Sequence, residues 1–147
     1  MKHGAQWVYG IALLIIVLDQ LTKWSVRAGL VLGQSIDVLP FFSITHVQNT
    51  GIAFGLLQFE FLRWVLVLIA LGVAIAILWS CKHGKLTEHY AAWGLIAGGA
   101  VGNAIDRIAF GTVTDFIDVH FWPAFNVADS ALTIGVLLLV WHALRKE

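Results

Sequence analysis

Carboxylates and amides recur in an otherwise apolar chain: Asp19, Asn49, Asn103, Asp106, Asp115, Asp118, Asn126 and Asp129, with Lys23 and Arg107 among them. An ionised group is expensive to hold near lipid, so each needs a reason to be there. The stretch FNVADSALTIGVLLLVW, residues 125–141, opens polar and ends as an apolar run. Two aspartates a few ångströms apart cannot both ionise easily and share a proton instead. One then serves as general base on a water, while the other, as general acid, polarises a carbonyl. Such a pair hydrolyses a peptide without metal or covalent intermediate. Other chemistries lack their residues. There is no H-E-x-x-H motif, the six histidines are scattered, and no serine lies in a G-x-S-x-G elbow. The sole cysteine, Cys81, allows neither an internal disulfide nor a metal cluster, so no metal and no cofactor is expected.

The elements that must position these residues are membrane spans. The chain has 147 residues, 59% hydrophobic and 12% charged, too apolar for a soluble domain of this size. Zero net charge argues against nucleic acid as a partner. Apolar runs fall near 5–24, 61–80, 89–109 and 125–144, giving an all-α membrane protein of four transmembrane helices in a single domain. Tryptophan favours the membrane interface. Trp7 and Trp24 bracket the first run, Trp64 and Trp79 the second, and Trp122 and Trp141 the fourth, while Trp93 opens the third. The first run could pass for a secretory signal, but no A-x-A-like site follows, so it reads as an uncleaved span. LWSC, ending at Cys81, faintly resembles a lipobox but lies mid-chain after a second span.

Lys2, Lys82, Lys85, Arg145 and Lys146 fall on one side of a four-span chain, which the positive-inside rule makes cytoplasmic, with both termini. The opposite side has the long connections. One of them, approximately 31–58, carries β-favouring stretches around Ile36, Val38, Phe42, Ile44 and Val47, then the turn signal Asn49-Thr50-Gly51. A small β-sheet at the outer surface is expected there. GTVTDFIDVHF, residues 111–121, also alternates and is a strand or an extended loop.

On these spans the polar groups reach one depth. Asp19 lies about 21 Å along the first helix from Ala5, and Asn103 about 20 Å along the third from Tyr90. Asp129 precedes Trp141 by about 18 Å on the fourth, which runs back inward. Plainer readings exist for each group. Asp19 and Lys23 form an i,i+4 ion pair; Asp106 and Arg107 snorkel to water; Asn126 caps a helix with Asp129 in its first turn. Gly94, Gly98 and Gly102 make a small-xxx-small packing face. These readings must all hold at one depth, which weakens them together.

DQLTK at 19–23, QNTGIAF at 48–54, GGAVGNAIDR at 98–107, VTDF at 113–116 and FNVAD at 125–129 occur in this order. Together they closely resemble the bacterial lipoprotein signal peptidases (signal peptidase II), almost end to end. The resemblance implies an aspartyl peptidase of the bacterial inner membrane that cleaves prolipoproteins just before a diacylglyceryl-modified cysteine. It implies Asp115 and Asp129 as the catalytic pair, a choice of Asp115 over Asp118 that the residues alone leave open. It also implies supporting roles for Asp19, Lys23, Asn49, Gly51, Asn103, Arg107 and Asn126. Physically, Asn103 and Asn126 are suited to orient a carboxylate or the substrate backbone, Asp19 and Lys23 to form the site floor, and Arg107 to anchor Asp106 or a loop carbonyl.

Asp129 in a first helical turn feels the positive end of the dipole, so it is expected to be the more readily ionised member, with Asp115 holding the shared proton. A lipid-modified prolipoprotein would enter laterally, with its acyl chains among membrane lipid, under a movable cover near Asn49–Gly55. The active site would face the periplasm and the protein would act as a monomer. A proton-coupled transporter is the main rival, but four spans without repeats leave little room for alternating access. A presenilin-like protease would need a G-x-G-D signature, which is absent.

Overall fold

Four apolar stretches, each closed by turn-forming or charged residues, give the helices of the computed structural model, which describes residues 2–51, 60–86 and 88–145. They are α1 (Lys2–Gly29), α2 (Glu60–Lys82), α3 (Tyr90–Phe110) and α4 (Val127–Leu144), with strands β1 (Ser35–Leu39), β2 (Phe42–Asn49) and β3 (Val113–Asp118). Residues 52–58 of the expected β-rich segment and of its cover, and Lys146, lie outside the described residues. The second, third and fourth helices follow the apolar runs closely. α1 runs five residues past the expected end at Trp24. The sequence there holds no glycine or proline before Gly29, so nothing stops the helix sooner.

Three helices, α1 from Gly4, α2 and α4, are long and apolar enough to cross a membrane. α3 is not among them, so length and apolarity alone account for three of the four expected spans. Its glycines and its polar trio Asn103, Asp106 and Arg107 dilute its apolarity, and the packing accounts for this. α3 lies against α1, α2 and α4 and buries most of its length, so it has no need of a continuous lipid-facing surface. Gly94 and Gly98 meet α1. A methyl group on Gly98 would stand 2.7 Å from the Ala12 carbonyl oxygen. Gly99 meets α4 in the same way, where a Cβ would stand 2.5 Å from the Ala128 carbonyl oxygen. The small-residue stripe is therefore a helix-packing face. Six of the seven tryptophans are exposed, as interface residues of a membrane protein would be, and only Trp93 packs against the core.

The sheet is antiparallel in the order β1-β2-β3. The alternating stretch after α3 is thus a strand, and it joins the hairpin formed by the long connection. A bridge between Ile117 and Phe125 then leads the chain into α4. β2 carries a bulge: Ile44 pairs with Ile117 but Val47 with Asp115, so three steps on β2 match two on β3.

Candidate active site

Asp129 is placed by the start of α4. The Asn126 side chain accepts the Asp129 N–H at 2.9 Å, and the Asp129 carboxylate accepts the Asn126 N–H at 3.3 Å, a capping box. The cap reading of FNVAD is correct, and the cap also directs the remaining chemistry. With its oxygen engaged, Asn126 must turn its amide nitrogen outward, where it donates to Asp115 at 2.7 Å. A single buried asparagine thus holds both aspartates.

The other two amides are oriented by the same logic. Asn49 Oδ1 accepts the Gly51 N–H at 2.7 Å, so Nδ2 faces and donates to Asp115 at 2.9 Å. Gly51 adopts φ +82°, a left-handed turn that suits glycine. Asn103 Oδ1 receives the Lys23 ammonium at 3.0 Å and Asn126 Nδ2 at 3.2 Å, so its own Nδ2 donates to Asp129 at 2.7 Å. Each amide has its polarity set by a group that can only donate.

Behind the amides lies a charged floor, fully buried at Asp19, Lys23 and Asp106. Lys23 pairs with Asp19 at 2.8 Å and with Asp106 at 3.6 Å. Asp19 also accepts the Ala128 N–H at 2.9 Å, tying α1 to the first turn of α4. Arg27 reaches Asp106 at 3.4 Å and Thr114 Oγ1 at 2.9 Å, and the Thr114 N–H donates to Asp106 at 2.9 Å. Two acids and two bases balance, as a buried cluster requires. The anchor of Asp106 is therefore Lys23 with Arg27, not its neighbour Arg107. Consecutive helix residues point about 100° apart, and Arg107 turns instead toward Gly51, within electrostatic range of Asp129, Asp115 and, more weakly, Asp106 but in no direct ion pair with it.

Arg27, Gln20 and Thr114 were not singled out from the sequence. Gln20 donates to both Asp19 and Asp106. A signal for Arg27 existed, since 19, 23 and 27 continue one i,i+4 stripe, but placing the helix end at Trp24 hid it.

Asp115 is almost fully buried, whereas Asp129 is half-buried and lines an open cavity of about 540 Å³ with Phe121, Trp122, Ser130 and Thr133. Burial pushes the Asp115 carboxyl up to about 6. The Asn49 hydrogen bond opposes this, the Asp129 charge adds to it, and Asn126 and Lys23 pull it back. Asp118, three residues on, accepts from Thr45 and from the His120 N–H, and takes no part in the cluster. The arrangement offers one solvent-facing carboxylate beside one buried carboxyl biased toward its protonated form.

The family model for signal peptidase (SPase) II matches residues 11–145. The chain belongs to the signal peptidase II family. It is therefore a hydrolase, a peptidase of the aspartic type. It is 41% identical over 144 residues to the lipoprotein signal peptidase of Polynucleobacter necessarius, covering 93% of this chain and 88% of that one. It is 42% identical over 149 residues to the lipoprotein signal peptidase of Paraburkholderia phymatum, covering 97% and 89%. A solved bacterial membrane enzyme matches with a TM-score of 0.85 at 33% identity, covering 95% of this chain and 94% of that one. A second matches at 0.82 and 34%, covering 94% and 87%.

Proposed function

We propose that this protein removes signal peptides from diacylglyceryl-modified prolipoproteins, cleaving just before the lipidated cysteine, with Asp115 and Asp129 as the catalytic pair. The observation that carries the reading is Asn126, which grips both carboxylates while Asp129 alone faces the cavity. The names of the relatives supply the substrate class. In the proposed reaction a water between the carboxylates gives a proton to ionised Asp129. Protonated Asp115 donates to the scissile carbonyl oxygen, and the tetrahedral intermediate collapses as a proton passes to the leaving amine. Asn49, Asn103 and Asn126 are positioning residues. Asp19 and Lys23 hold the floor, and Arg107 adds positive charge near the developing oxyanion.

α3 crosses the membrane with the other three helices. Its outer end leads into β3, and α2 follows β2 after residues 50–59. These two strands share one sheet, which supports a return by α3 over the distance that α2 covers. Twenty-one residues at about 1.5 Å each suffice for a hydrocarbon core of about 30 Å. Both termini then lie in the cytoplasm of the inner membrane and the sheet and site in the periplasm, with a monomer sufficient for the reaction. The test uses detergent-purified protein and a diacylglyceryl-modified prolipoprotein peptide, with and without chelator. Chelator-resistant cleavage by the wild type, lost in Asp115→Asn and in Asp129→Asn, is expected. Cleavage that survives either substitution rejects the pair.

A further inference from the structure

We infer that His46 is a positioning residue: it locks the bulge of β2 against the end of α1 and so brings Asn49 onto the face of the sheet that carries Asp115. This rests on the catalytic reading of Asp115. The register supplies the first step. Counting without interruption from the Ile44–Ile117 pair would set His46 opposite Asp115 and Gln48 opposite Val113. Side chains alternate along a strand, so Asn49 would then point to the far face. The extra residue moves Val47 opposite Asp115 and Asn49 opposite Val113. Only in that register does Asn49 Nδ2 meet Asp115 at 2.9 Å.

A bulge leaves backbone without its usual partners on the neighbouring strand and needs holding elsewhere. His46 is where this one is held. Its N–H donates to the Gln34 carbonyl at 2.9 Å, and its carbonyl accepts the Gly33 N–H at 2.8 Å. Its ring Nδ1 lies 2.9 Å from the carbonyl oxygen of Leu30, just beyond the end of α1. A carbonyl can only accept, so Nδ1 carries the proton, and the bond satisfies one of the orphan acceptors at the helix end. The ring is buried, and its Nε2 has no partner among the described residues. A buried polar atom left unpaired costs free energy, so an apolar side chain would suit that half of the ring better. The bond to Leu30 is what favours histidine. His46 therefore couples α1, which carries Asp19 and Lys23, to the strand that carries Asn49.

His46→Leu should lower kcat by roughly 10- to 100-fold through misplacement of Asn49. It should also raise the apparent pKa assigned to Asp115, because the lost Asn49 bond normally lowers it. The charged groups around Asp115, namely Asp129 on α4, Lys23 on α1 and Arg107 on α3, are left in place. Asn49→Ala should shift the pH profile in the same direction, and His46→Leu should add little in that background. His46→Asn, whose amide N–H can take the place of Nδ1–H, should restore most of the rate. A full additional loss in the Asn49→Ala background overturns the inference, as does an unshifted profile in His46→Leu. A second measurement needs no variant: ¹⁵N-histidine spectra of the wild type in micelles should show His46 protonated at Nδ1. An Nε2–H tautomer overturns the inference even if His46→Leu cannot be purified. A wild type that cleaves nothing defeats the catalytic reading instead, and the tautomer still decides the role of His46.

Discussion

Burying a carboxylic acid as deeply as Asp115 carries a stability cost whose sign can be worked out. Its pKa is raised from the ordinary 3.8 to about 6, so between those values the folded chain binds more protons than the unfolded one. The stabilising share is complete below about pH 4 and is lost as pH rises through about 6. The gap between the two values corresponds to ~3 kcal/mol as an upper bound. Asp115→Asn, which cannot ionise, should abolish cleavage yet raise the thermal midpoint in detergent at pH 7–8, with the gain fading toward pH 4. An unchanged or lower midpoint at pH 8 would contradict this assignment of cost. Lys23 is the opposite case. Lys23→Met strands Asp19 in a buried site without its cation and leaves Asp106 to Arg27 alone, and about 3–5 kcal/mol of destabilisation is expected from equilibrium denaturation. These effects follow from residue types that the sequence displayed openly. The partners did not: Asp106 looked like a companion of Arg107, and only the packing of α1 on α3 gives it Lys23 and Arg27.

At the scale of elements, the helices were legible because apolar length and interfacial tryptophan are local signals. The joining of β3 to the β1–β2 hairpin is non-local, since about sixty residues and two helices separate the strands, and alternation alone could not reveal it. The bulge was equally hidden, because it is a property of two strands together. The glycine stripe was legible as packing, and it makes a sharp prediction. Gly98→Ala forces a methyl group to within 2.7 Å of the Ala12 carbonyl oxygen and 2.9 Å of Ile15 Cβ, so α1 and α3 must part. A loss of about 1–3 kcal/mol is expected from the overpacking. Gly10 lies on the same bundle, but a Cβ there meets nothing within 4 Å. Gly10→Ala should be neutral or stabilising, by up to about 1 kcal/mol, because alanine favours helix. Equal effects at the two sites in a thermal scan would refute the packing assignment.

For the whole molecule, the sheet gathers one end of the helix bundle. All four helix ends nearest it are tied to it or to one another. α1 is held through Leu30 and His46, α2 follows β2 after residues 50–59, α3 turns directly into β3, and α4 starts beside the Ile117–Phe125 bridge. The bundle therefore hangs from one surface, and the helix without a continuous apolar face is the one the other three enclose. In the proposed four-span topology a polar helix crosses lipid in this way, with its neighbours rather than its own side chains facing the acyl chains. The arrangement predicts the sidedness of each connection. In a Cys81→Ala background, cysteines replace Gln34 before α2, Lys85 between α2 and α3, and Phe121 after α3, all at exposed positions. A membrane-impermeant maleimide applied to intact spheroplasts should label positions 34 and 121 and spare 85 until the membrane is opened. Labelling of 85 together with 121 would mean that α3 does not cross. Labelling of 85 alone would invert the orientation deduced from Lys82 and Lys85 and place the aspartates on the cytoplasmic side.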